Sequence, residues 1–245
     1  MSGGVFVTFL YWLCCFLFMS VESELLALAD PKRVSGYQRF FKTGKGEYGE
    51  GDVFIGVTVP NQRKVAKKCR DISLSDAEKL LKSKVHEHRL TALFILIDKF
   101  KKGEKEKVYS LYLNNAKKVN NWDLVDSSAP YIVGKYLLDK DRKVLYSLAK
   151  SDNLWERRIA MLSCFAFIRN NDFSDALNIA EILVDDKHDL MHKAVGWMLR
   201  EIGKLDMSVE EKFLKKYCRT MPRTMLRYAI EKFPEAKRKF YMGRV

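Results

Sequence analysis

The residues best suited to do chemistry lie in one short stretch, Asn121-Trp122-Asp123-Leu124-Val125-Asp126. On a helix, Trp122 and Asp126 stand at i and i+4, which puts an aromatic plane and a carboxylate on one face. An inward-facing carboxylate is costly unless it is paired, hydrogen-bonded or open to water. Two readings stay open on the residues alone. Asp126 is a working anion, or it pairs with a neighbouring arginine or caps a helix. Further along, Trp155 and Arg158 stand at i and i+3 in LWERRIA, and Trp197 lies in HKAVGWMLREIGK. An arginine on such a face suits a phosphate oxygen and adds affinity without sequence choice. A tryptophan ring can stack on a base or sugar and attract a cation, with about 2 kcal/mol available once desolvated. Taken singly, each tryptophan is more often a core residue.

The elements that must position these groups are helices. Leu90, Leu93, Phe94 and Ile97 follow the i, i+3, i+4, i+7 stripe of a helix packed on one side. Val108, Leu111 and Tyr112 begin a second stripe, and Leu177, Ala180 and Val184 a third. Short charged clusters separate the stripes, as connections between antiparallel neighbours do. The one β-like run, 53–59, has no second run to pair with and reads as a connection leading to Pro60 at a helix start.

The helices repeat. Ala92, Ala160, Ala194 and Ala229 sit in the similar contexts RLTALFIL, RRIAMLSC, MHKAVGWM and LRYAIEKF, at separations of 68, 34 and 35 residues. The first gap is two periods, and the copy missing from it centres on Asp126. A period of this length predicts an all-α, HEAT-like helical-repeat superhelix, an α-solenoid whose units bury their faces on one another. Tetratricopeptide repeats share the period, but their Trp, Leu-Gly and Tyr pattern is missing. Such a solenoid offers a concave face. With 44 Lys and Arg against 31 Asp and Glu, net +13, that face is expected to be basic and to hold a polyanion, of which nucleic acid is the commonest. A membrane surface or an acidic protein would satisfy the charge as well.

The 245 residues divide by this reading into an apolar N-terminal extension, 1–18, and one repeat domain, 19–245. Nothing basic precedes the extension, since the first Lys or Arg is Lys32, and no small-x-small cleavage site follows it. It reads as an over-extended start with Met19 as initiator, with an anchor or export signal as the alternative. Five irregularly spaced cysteines form no disulfide framework and fit buried thiols in a reducing compartment.

Two motif look-alikes carry little weight. Gly44-Lys45-Gly46-Glu47-Tyr48-Gly49 spells GxGxxG, yet no strand precedes it and the nearby Glu47, Glu50 and Asp52 would repel a phosphate. It is expected to form a mobile loop near the polyanion. His188-Asp189-Leu190-Met191-His192 imitates a zinc-protease motif with Asp for Glu and has no evident third ligand.

WDLVD at 122–126, LWERRIA at 154–160, KAVGWMLREIG at 193–203 and the upstream run RFFKTGKGEYGEGDVFIGVTVPNQR at 39–63 resemble the AlkD-like DNA alkylation repair glycosylases, in order and spacing, over nearly everything from Val21 onward. The resemblance implies a HEAT-like superhelix cradling duplex DNA, with no metal and no other cofactor. It implies hydrolysis of the N-glycosidic bond of N3- or N7-alkylated purines, catalysed by Asp126 with Trp122 and Trp197. It places Arg158 on a DNA phosphate, and Phe40 and Arg63 among the further DNA contacts. Phe40 stands where the family often has Tyr, which keeps a ring and loses a hydroxyl. A monomer acting in the cytoplasm on nucleoid DNA is expected. The competing readings are a non-catalytic relative that binds bent or branched DNA, which has no need of the Asp126 carboxylate, and a scaffold for an acidic protein.

Overall fold

The computed structural model describes residues 20–243, so the expectation for the 1–18 extension lies outside the described residues. Among the described residues the regular structure is helical, apart from a single parallel bridge between Val53 and Val85. No helix among them is long and apolar enough to cross a membrane. The chain divides into two compact units between Lys99 and Phe100.

The first unit holds α1 (Val21–Leu26), α2 (Pro31–Phe40), α3 (Val59–Lys68), α4 (Leu74–Leu81) and α5 (His86–Lys101), with the division falling in the last turn of α5. Local chemistry starts most of them. Ser20 and Ser73 cap α1 and α4, and Asp30 caps α2 ahead of Pro31. As expected, 53–59 is a connection that ends at the Pro60 helix start. It is held from below by α5. The buried Glu87 carboxylate accepts the backbone N–H groups of Ile55, Gly56 and Val57. Arg89 pairs with Asp52 at 2.7 Å, and the Phe54 ring stacks on His86.

The GxGxxG stretch binds itself. Glu47 accepts the N–H of Gly44 and Glu50 accepts that of Gly46, so two carboxylates occupy donors that a phosphate would need.

The second unit runs through α6 (Lys105–Asn114), a 3₁₀ turn (Ala116–Lys118), α7 (Trp122–Ser128), a π turn (Pro130–Gly134), α8 (Lys143–Ala149), α9 (Leu154–Ser163), α10 (Phe165–Ile168), α11 (Ser174–Ile182), α12 (Asp189–Leu205), α13 (Met207–Tyr217), α14 (Arg223–Ala229), a second 3₁₀ turn (Ile230–Lys232) and α15 (Glu235–Met242). The helices form two rows. In one row α7 packs on α9, α9 on α12, and α12 on α14; in the other α8 packs on α11, while α13 flanks α12. Ala160, Ala194 and Ala229 lie in α9, α12 and α14 and are fully buried, as is Ala92 in α5. The 34-residue period is therefore the step along the first row.

Polar side chains cross each step. Arg142 and Tyr146 reach Asp175, Arg157 reaches Asp186, Arg158 reaches Asp126, Arg200 reaches Glu231 and Lys216 reaches Glu181, with partners 29 to 35 residues apart. The two ends of every link therefore lie in neighbouring repeats. The His188–His192 motif is local structure at the start of α12: His188 caps the helix by accepting the Leu190 N–H, and His192 bonds the Asp186 carbonyl. Cys69, Cys164 and Cys218 are buried free thiols.

Two positions lend themselves to test. A Cβ on Gly196 would stand 2.4 Å from the Met225 carbonyl oxygen and 2.6 Å from the Tyr228 Cβ, so α12 and α14 meet at this glycine. Gly196→Ala is expected to cost about 1–3 kcal/mol, as overpacking of an interior does, read by chemical denaturation. Glu210, on α13, is buried with one oxygen against Gly203, and its Oε1 has no hydrogen-bond partner among the described residues. Burial, helped by the like charge of Glu211 and opposed by Arg200, pushes its carboxyl up to about 9 from 4.5. The folded chain then holds this proton more tightly than the unfolded one. Its stabilising effect is full below pH 4.5 and declines by roughly 1.4 kcal/mol per pH unit as pH climbs towards 9. Glu210→Gln removes that decline, so melting curves of variant and parent should separate more widely at pH 8 than at pH 5.

Candidate active site

Asp126 is positioned by how α7 begins and ends. Asn121 starts the helix, its side chain accepting the Trp122 N–H at 2.8 Å. At the other end Pro130 has no N–H to give to the Asp126 carbonyl, and the chain turns through the π segment, closed by the Gly134 N–H on the Ala129 carbonyl at 2.9 Å. Asp126 thus lies in the last turn, where the helix dipole disfavours a further anion and favours a cation beside it. The floor beneath is fixed as well. Ser128 donates to the Leu124 carbonyl, and its oxygen meets the hydroxyl of fully buried Tyr112 at 2.9 Å.

The cation comes from the next helix of the row. Arg158 grips Asp126 with a fork, Nε to Oδ1 and Nη2 to Oδ2, each 2.8 Å. Its Nη1 donates to the Leu190 carbonyl in the first turn of α12. One guanidinium therefore ties α7, α9 and α12 together. The side chain of Arg158 is 5% exposed and that of Asp126 19%, so the pair is sealed from below while an edge of the carboxylate meets solvent. Burial is the largest influence on Asp126 and pushes its carboxyl above the ordinary range, with Arg158 pulling against it and the nearby Asp123 charge adding to the rise.

The structure brings some of the expected residues together and separates others. Trp122 shares the Asp126 face of α7 and is half-buried. Trp197, also half-buried, lies on α12 two turns beyond Leu190, its Nε1–H held by Glu201 at 3.0 Å and its ring 6.0 Å from that of Phe165. Trp155 is 6% exposed and belongs to the core. Three of the five Arg158 N–H groups are committed within the protein, leaving one on Nη1 and one on Nη2 for any phosphate. Phe40 and Arg63 belong to the first unit. Phe40 is 62% exposed at the end of α2, and Arg63 lies over the Phe94 ring at 4.0 Å. The sequence reading missed Tyr112, Ser128 and the Leu190 carbonyl. Only the recurrence of hydrogen-bonding residues behind the WDLVD turn could have signalled them. Among the described residues no group of three or more His, Cys, Asp or Glu side chains could hold a metal.

A family profile described as "DNA alkylation repair enzyme" matches residues 21–233. The chain belongs to this family. No curated protein matches it. Among solved structures, this family member is similar to a predicted DNA alkylation repair enzyme from Enterococcus faecalis, with TM-score 0.67 and 15% identity over 84% of this chain and 97% of that one. It is also similar to AlkD2 from Streptococcus mutans, with TM-score 0.52 and 18% identity over 83% and 98%. At these identities the likeness is one of fold, and it is the helical-repeat fold of DNA alkylation repair proteins.

Removing the arginine should expose the balance that sets Asp126. In Arg158→Gln, burial acts on Asp126 without its counterweight, and the carboxyl should titrate at higher pH than in the parent. Carboxyl ¹³C shifts followed against pH would read this; an unchanged or lower titration point contradicts the balance. The same variant should lose about 3–5 kcal/mol of stability, as expected when one partner of a buried ion pair is removed.

Proposed function

We propose that this repair enzyme is a monofunctional DNA glycosylase that hydrolyses the N-glycosidic bond of N3- and N7-alkylated purines in duplex DNA. The observation that carries this reading is a single carboxylate, Asp126, locked in orientation by Arg158 with one edge open, on a helix face shared with Trp122 and in a row that continues to Trp197.

Alkylation at N3 or N7 makes the purine cationic and weakens its bond to the sugar. The base then leaves with the bonding electron pair as a neutral alkylpurine, so no strong general acid is needed. Positive charge builds on the deoxyribose as C1′–N stretches. Asp126, as the anion, stabilises that charge through space in a water-poor site, where such stabilisation is strongest. The Arg158 fork uses one acceptor position on each Asp126 oxygen and leaves others for an attacking water. The water oxygen bonds to C1′, and its proton passes to Asp126 or to solvent. Trp122 and Trp197 present ring faces that favour the cationic sugar. Arg158 keeps two N–H groups for a strand phosphate, while Phe40 and Arg63 contribute DNA contacts from the first unit.

The same fork also favours a second reading. Both Asp126 oxygens are already paired, which suits a carboxylate that only holds helices together in a non-catalytic DNA-binding relative.

Release of 7-methylguanine from methylated duplex DNA separates the two. Asp126→Asn should lower single-turnover release by about 10²–10³-fold, the loss typical of removing a principal electrostatic group, with binding of undamaged duplex retained. Parent activity should rise with pH through the raised Asp126 titration, because the anion is the working form. A folded, DNA-binding parent that releases no base establishes the second reading.

A further inference from the structure

A cavity lies beyond the Asp126 site, at the end of the helix row. It is a half-open cleft of about 350 Å³ lined by Arg227, Tyr228, Ile230, Glu231, Arg238 and Met242. Its walls are α14 and α15, and they are fixed. Arg223 donates to the Met242 carbonyl at 2.9 Å, Lys237 pairs with Glu211 of α13 at 2.8 Å, and Phe233 meets Tyr241 edge-on at 5.8 Å. Ile230 forms a buried floor.

The charges in the cleft are unbalanced. Glu231, its one carboxylate, is taken by Arg200 and Lys232. The side chains of Arg227 and Arg238 form no ion pair, hydrogen bond or ring contact with the described residues. Elsewhere in this unit Arg142, Arg157 and Arg158 are each tied to an aspartate, and Arg200 to a glutamate. Two unpaired guanidinium groups facing a concave space with a phenol ring suit a phosphate and the sugar or base attached to it. The volume falls in the range of small-ligand sites and exceeds what a bare phosphate needs.

The repeat register ties this cleft to the row. Arg227 lies 69 residues beyond Arg158, two repeat steps, and therefore occupies the same slot two helices along. Tyr228 packs against Gly196 of α12, the neighbour of Trp197. Two helix spacings are on the order of 16–20 Å, the axial length of about five or six nucleotide steps in duplex DNA.

We propose that this cleft is a strand-anchoring subsite, in which Arg227 and Arg238 hold a phosphodiester of one DNA strand about five or six nucleotides from the nucleotide at Asp126. The inference rests on the glycosylase reading for that distance alone; the anchoring itself needs only that duplex DNA lies along the row.

The test measures binding of undamaged 24-base-pair duplex against salt concentration, which reports the cleft whether or not the protein cleaves a glycosidic bond. The Arg227→Gln/Arg238→Gln double variant should reduce the slope of log K against log salt by about 1.8, the loss of two phosphate contacts at roughly 0.9 each. The charge-matched Lys212→Gln/Lys215→Gln variant, on α13, should change the slope far less. An equal fall in both variants would mean that only the overall field of the protein matters, and no fall would mean no contact; either overturns the anchor. A second arm titrates 2′-deoxyadenosine 5′-monophosphate. Binding by the parent and not by the arginine variant, with the duplex slope unchanged, would assign the cleft to a free nucleotide and overturn the strand assignment. For the distance, a 24-base-pair duplex with a central 7-methylguanine, bound by Asp126→Asn proteins to prevent release, is cut back to three base pairs beyond the lesion on either side; this should abolish the difference between proteins with and without the two arginines, whereas persistence of that difference would overturn the stated distance.

Discussion

One guanidinium organises the centre of the second unit. Arg158 stands on α9, grips Asp126 on α7 through two parallel bonds, and donates onward to the first turn of α12. Removing two charges from water is expensive, and attraction offsets the cost only when the geometry is good and the remaining donors are satisfied. Here the geometry is good, and three of the five Arg158 N–H groups are satisfied within the protein. The pair fixes the relative rotation of three helices, because a fork tolerates little twist before one of its two bonds is lost.

The same device recurs along the unit in cheaper form. Arg157 with Asp186, Arg142 with Asp172 and Asp175, and Arg200 with Glu231 all span one repeat. The Arg142 and Arg200 pairs lie nearer the surface and contribute modestly to stability, while all of these pairs help select the register in which one repeat meets the next. Apolar packing sets the spacing. The alanines at each step and Gly196 between α12 and α14 let the helices approach closely, as a larger side chain would not. Asp126 is the exception in that series, a charged residue in an alanine slot. Its burden is carried by Arg158 and by solvent at its open edge.

That exception is also what gives the site its chemical character. A carboxylate fully exposed to water would be screened, and one sealed in the core would be protonated or inert. Asp126 lies between these limits, raised by burial and steadied by a cation. An oriented anion of this kind is what the proposed glycosylase chemistry would require. The two half-buried tryptophans differ from buried Trp155 in the same sense, since a ring serves a ligand only through a face that packing leaves uncovered.

The sequence by itself determined the helical class, the 34-residue step and the membership of a DNA alkylation repair family, because these rest on periodicity and local motif, which the chain carries residue by residue. It also singled out Asp126 as the residue that breaks the alanine series. Which arginine answers Asp126, and with how many bonds, was decided by tertiary structure. Arg157 and Arg158 are neighbours in sequence, yet about 100° of helix rotation sends one to Asp186 and the other to Asp126. Tertiary structure likewise buried Trp155, turned the His188–His192 motif into a helix cap, filled the glycine loop with its own glutamates and left Arg227 and Arg238 without anions among the described residues. Spacing along a chain says which residues share a face; only the packed neighbours decide whether that face is already occupied.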